Sequence, residues 1–293
     1  MRIKSGSAPA VILGVALLTG FALALYASDG GKASGKKSAP AGMVHVPEGE
    51  FTMGMEVEKA LQECRKFNGD KCKREEFKRE APAHQVWLDG YYIDKHEVTQ
   101  AEYNKCVSAD ECDPNLKHDG FTGDKQPVVG VKWEGAKDYC EWVDKRLPTE
   151  AEWEKAARGT DERMYSWGNE FDGTKANFCD KNCEKDWACR DWDDGYAKTA
   201  PVGSYPENAS PYGALDMTGN APEWTADWYK EDYYQKSPDK NPKGPLYVLG
   251  GARVWRGGGF DDSPVGLQTV DRSRHVYPMD ANFVGFRCAK DLK

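Results

Sequence analysis

Residues Arg146 to Gly159 read RLPTEAEWEKAARG, and Gly219 to Trp224 read GNAPEW. The first stretch marks where a helix begins and ends. Thr149 is an N-cap, and Glu152, at the third helical position, completes a capping box. Trp153, Ala156 and Ala157 then share one face and predict burial there. Lys155 and Arg158 suit the negative end of the helix, and Gly159 stops it. The second stretch brings together an amide (Asn220), a carboxylate (Glu223) and backbone carbonyls. That donor set suits a hard cation, whereas the simpler reading is a turn pinned by hydrogen bonds.

Two more helices are predicted nearby. Thr99 and Glu102 form a second capping box, followed by Tyr103, Cys106 and Val107 on one face. Ala136, Tyr139, Cys140 and Val143 follow helical spacing after a strand-like Pro127–Val131. Val44–Met53 alternates around Pro-Glu-Gly and predicts a hairpin, and Val86–Ile93 predicts one aromatic-rich strand. Glu56–Arg79 is highly charged and reads as a surface insertion. Short strands are expected near Tyr247–Leu249, Val254–Gly257 and Gly285–Cys288.

The 293 residues, with 39% hydrophobic content, suffice for one large domain. Thirty glycines, sixteen prolines and ten tryptophans predict a loop-rich domain with aromatic anchors. A formal charge of −8 with no basic stripe excludes a nucleic-acid partner. Arg2 and Lys4 precede an apolar run, Ala10–Ala27, so residues 1–27 read as a signal peptide or membrane anchor, the expected membrane contact. Residues 28–42 read as a flexible linker and 43–293 as the domain. The expected location is periplasmic, or anchored in the inner membrane with the domain outside the cytoplasm.

The nine cysteines fit an exported chain. The short spacings of Cys64 with Cys72 and of Cys106 with Cys112 suit disulfides that close loops. Pairing among Cys179, Cys183 and Cys189 stays open. They lack a neighbouring histidine, which speaks against zinc, and the odd total leaves one thiol over or paired with another chain.

Further segments recur in order along the chain: Tyr92-Ile93-Asp94, Glu97-Val98-Thr99, Tyr139-Cys140-Glu141-Trp142, Trp167-Gly168-Asn169, Pro211–Met217, Arg253–Gly258 and Gly285-Phe286-Arg287. With the two opening stretches, they closely resemble the formylglycine-generating enzyme family, also called the sulfatase-modifying-factor domain. The resemblance spans nearly all of Met43–Lys290. It implies an α+β, C-type lectin-like fold with little regular secondary structure. It also implies two structural calcium ions. The first would be held by Asn177, the carbonyl of Phe178, Asp194 and the carbonyl of Tyr196. The second would be held by Asn220, Glu223 and the carbonyls of Gly219 and Ala221. A Cys140–Cys288 disulfide is implied as well.

Active members of that family bind copper(I) through two cysteines just after the Gly-Gly stretch. Alignment on Arg253, Gly257 and Gly258 puts Asp262 and Leu267 in those places. Aspartate is a hard ligand and leucine none, so no copper is expected. The five histidines lack HxxxH or HxE spacing, and no Gly-x-Ser-x-Gly elbow is present. Asp261, Asp262, Gln268, Asp271, Arg272, Arg274, His275 and Tyr277 form a polar and aromatic set within Gly259–Asn282. They are expected to present a ligand surface for an envelope protein, peptide or glycan. The alternative is an oxidoreductase or maturation enzyme of the same family acting on an exported substrate.

Overall fold

A computed structural model describes residues 39–116, 120–276 and 283–292. The expectations for residues 1–27, most of the linker and Tyr277 lie outside the described residues. So does anything concerning the His275 side chain.

The three predicted helices form, two of them at their written caps, and a fourth forms inside the segment read as an insertion. Helix α1 spans Val57–Asn68, α2 Gln100–Ser108, α3 Trp133–Trp142 and α4 Glu150–Arg158. Both capping boxes close: the Thr99 and Thr149 hydroxyls each accept the N–H of the Glu three residues on. Helix α4 differs from a one-faced amphipathic helix, because all nine of its residues are buried. Lys155 and Arg158 are therefore anchors rather than solvated cap charges. The Lys155 ammonium donates to the carbonyls of Pro47 at 2.9 Å and Gly49 at 2.8 Å, and Arg158 donates to the carbonyl of Gly54 at 2.9 Å. Glu150 and Glu154 of α4 are held by Arg256 and Arg272, all four fully buried. A buried ionic knot of this kind needs every member paired, since one lone buried charge costs several kcal/mol.

Among the described residues the strands form three small antiparallel sheets. Strand β1 (Met43–Val46), β4 (Tyr91–Asp94) and β8 (Ala289–Asp291) form the first. Strands β2 (Gly49–Met53) and β3 (His84–Leu88) form the second. Strands β5 (Glu223–Trp228), β6 (Ala252–Arg256) and β7 (Ser273–Val276) form the third. The expected Val44–Met53 hairpin is thus corrected: its two strands exist, but each pairs elsewhere. Val86–Ile93 likewise divides at Asp89-Gly90 into strands of different sheets. Tyr247–Leu249 is a loop and not a strand, and Gly285 makes a single bridge to Glu223 ahead of β8.

Glu56–Arg79 is more than a surface insertion. Its helix α1 buries Ala60, Leu61 and Cys64 in a core shared with Tyr165, Phe178 and Leu267. Cys64–Cys72, Cys106–Cys112 and Cys140–Cys288 are disulfides. A fourth joins Cys179 and Cys183, leaving Cys189 as the free, half-buried thiol. Among the described residues, no helix is long and apolar enough to cross a membrane.

Candidate functional site

The first implied calcium set gathers on the loops from Ala176 to Lys198. The Asp194 carboxylate accepts the N–H of Phe178 at 2.9 Å and that of Tyr196 at 2.8 Å. Burial pushes its carboxyl up to about 6. The Asn177 amide nitrogen donates to the Lys198 carbonyl at 2.7 Å, whereas the amide oxygen is buried with no partner. An orphaned oxygen beside a desolvated carboxylate and two carbonyls fits a hard oxygen-loving cation. Asn177, Asp194 and the Phe178 and Tyr196 carbonyls would hold it.

The second set is arranged differently. Arg287 grips Glu223 through two bonds, Nε to Oε2 at 2.7 Å and Nη2 to Oε1 at 2.6 Å. The Trp153 indole adds a third at 2.8 Å. The Asn220 amide oxygen accepts the Ala200 N–H at 2.8 Å, and its nitrogen donates to Glu97 Oε1 at 2.9 Å. The orphan here is Glu97 Oε2. Burial raises the Glu97 carboxyl well above its ordinary range, and the charges of Asp216 and Glu223 push the same way. The Asn220 and Glu223 side chains are thus already hydrogen-bonded, and among the described residues no three acids, histidines or cysteines gather to hold a metal, so the free Glu97 oxygen is the side-chain donor left for a cation here. The sequence reading did not single out Glu97 as a ligand.

The expected ligand surface divides in two. Gln268 and Arg272 are interior, a correction with a clear cause: Arg272 is consumed in neutralising Glu150, Nε to Oε1 at 2.6 Å. Arg274 is exposed and stacks on Tyr229, 4.8 Å from the ring centre. Asp261, Asp262 and Asp271 instead converge on a cavity of about 220 Å³ walled by Pro222, Trp255 and Phe283. Asp262 accepts the Gly259 N–H at 2.9 Å. Burial, followed by the charges of Asp261 and Asp271, lifts its carboxyl to about 7. Arg79 pairs with Asp271 at 2.9 Å. The glycines that shape this corner cannot carry side chains. A Cβ on Gly258 would lie 2.5 Å from the Gly266 carbonyl, and one on Gly259 2.6 Å from Pro222.

The sulfatase-modifying factor enzyme 1-like domain profile matches residues 31–292. The chain belongs to that family. It is 31% identical over 308 residues to the formylglycine-generating enzyme of Streptomyces coelicolor, covering 85% of this chain and 89% of the relative. It is 34% identical to the serine/threonine-protein kinase pkn1 of Chlamydia caviae, covering 75% of this chain but only 36% of that protein. The solved structure of PvdO from Pseudomonas aeruginosa superposes with a TM-score of 0.65 at 24% identity, over 85% of this chain and 94% of that one. It shares the α+β, loop-rich fold. Within this sulfatase-modifying-factor domain, the Asp262 and Leu267 positions are physically unlike. Asp262 faces the cavity, whereas Leu267 is fully buried among the α1 core residues.

Proposed function

We propose that this chain is an exported sulfatase-modifying-factor domain that binds a ligand and does not generate formylglycine. The observation that carries the reading is the chemistry at Asp262 and Leu267. Oxidation of a cysteine through copper(I) needs soft ligands, and these two side chains supply a hard oxygen and a methyl group. The closest cysteine in sequence, Cys288, is committed to its disulfide with Cys140. Calcium stabilises the loops, one ion on Asn177 and Asp194 and one at the free Glu97 oxygen and the carbonyls of Gly219 and Ala221. Four disulfides and the basic, then apolar, N-terminal sequence support residence outside the cytoplasm, in the periplasm or on the inner membrane.

The Asp261–Asp262–Asp271 cavity is the ligand site. Arg79 offsets Asp271, and Arg256 in the same wall is offset by Glu154, so Asp261 and the partly protonated Asp262 leave negative charge beside aromatic walls, which favours an amine or guanidinium. Among envelope proteins, peptides and glycans, that selects a protein or peptide presenting lysine or arginine. The test has two arms on the purified full chain. A cysteine-bearing sulfatase peptide should keep its thiol, and lysine-rich peptides should bind while their acetylated forms should not. Aldehyde formation would overturn the first claim, and equal binding of acetylated peptides the second.

A further inference from the structure

The segment Pro245–Gly251 (PLYVLGG) leaves Leu246, Tyr247 and Leu249 exposed at 101%, 63% and 87%. This exposure is built rather than frayed. Gly244 and Gly250 bracket the loop in left-handed conformation, φ 72° and 61°. The Gly251 N–H closes a turn onto the Val248 carbonyl at 2.8 Å. Tyr247 rests edge-on against Trp228, ring centres 5.4 Å apart. The base is fixed, and the two leucines project into water. Side chains of this kind gain by leaving water, so a fixed loop that displays them implies an apolar counterpart.

We infer that this loop seats in the interfacial layer of a lipid bilayer. Three observations favour lipid over a protein groove. The exposed apolar side chains sit within four residues, Leu246 to Leu249, of one short loop. It pairs two aliphatic residues with a tyrosine, the aromatic that favours the headgroup level, and the exposed Lys243 stands just before it. The third rests on the membrane-anchor reading of residues 1–27. The polar run from Ser28 to Gly42 is about fifteen residues, a reach of at most about 50 Å, so the domain would stay within loop distance of the surface that holds the anchor.

The experiment uses the full chain with Cys189→Ser, carrying a polarity-sensitive dye on Leu249→Cys, or on Glu75→Cys as the control. Vesicles are phosphatidylcholine with phosphatidylglycerol, with or without acyl-chain quenchers. The expected result is a blue shift and acyl-chain quenching for the loop label and neither for the control. A loop label that stays at its aqueous emission while the chain floats with vesicles would overturn the inference and leave the anchor intact. A chain that does not float at all would overturn both. A blue shift that grows with protein concentration without lipid would instead identify a second copy as the occupant and overturn the lipid assignment.

Discussion

The indole N–H of Trp153 donates to Glu223 Oε2 at 2.8 Å, deep in the core. That bond ties the helix of RLPTEAEWEKAARG to the carboxylate of GNAPEW, with Arg287 closing the other side of the same group. Replacing Glu223 by Gln should destabilise the fold by about 3–5 kcal/mol, because it leaves the Arg287 charge buried and unmatched. Trp153→Phe should cost less from the lost hydrogen bond, about 1.5–3 kcal/mol. Urea denaturation of both variants and the double mutant checks the ranking, and a non-additive double mutant is expected.

The proposed calcium ions predict a metal content of two per chain by elemental analysis. Chelation should lower the melting temperature, since an ion held at a hundredfold over its Kd contributes about 2.7 kcal/mol. Asn177→Leu and Glu97→Gln should each remove one ion and spare the other. If Glu97→Gln keeps both ions while Asn220→Ala loses one, the second site belongs to the Asn220 side chain after all.

Asp262 gives a pH dependence with a definite sign. Its carboxyl is raised to about 7 by burial and by its acidic neighbours. Between the ordinary aspartate range and pH 7 the folded state therefore holds a proton that the unfolded chain releases. Stability from this group rises as pH falls through 7 and levels off near 4, with a slope of at most about 1.4 kcal/mol per pH unit. Asp262→Asn should flatten the profile in that window and raise stability above it. Cation binding should run the opposite way, weakening below pH 7 in the wild type.

The Cys140–Cys288 bond closes the longest loop, with a sequence separation of 148. The chain-entropy estimate for loops of this size is about 4–5 kcal/mol. Replacing both cysteines by Ser should lower stability by about 2–5 kcal/mol, measured under non-reducing conditions against the intact chain. Loss of the short Cys106–Cys112 staple should cost less.

The sequence revealed elements whose signals are local. Capping boxes at Thr99 and Thr149 and a stop at Gly159 need only neighbours along the chain, so those two helices were legible, whereas α1 has no side-chain cap to announce it. Strand partners were not. Met43–Val46 and Gly49–Met53 look like a hairpin, yet Tyr91–Asp94 and His84–Leu88 compete for them from far away, and tertiary packing decides. The same limit hid the site. Arg272 reads as a surface residue until Glu150, 122 positions earlier, is seen to hold it. Glu97 stands only as part of the Glu97-Val98-Thr99 segment until its second oxygen is found buried without a partner.

The two positions that the family resemblance aligns with copper-binding cysteines should respond to mutation independently. Leu267 is fully buried with Tyr165, Phe178 and Val270. Leu267→Ala should therefore cost about 2–5 kcal/mol as a cavity while leaving cation binding by the folded fraction unchanged. Asp262→Asn should do the reverse, keeping the fold and removing most of the affinity for lysine-bearing peptides. Calorimetric binding and urea denaturation on both variants separate the effects. A shared metal site would couple them, so a Leu267→Ala protein that folds yet fails to bind would contradict the division of labour argued from the cavity at Asp262 and the packed core at Leu267.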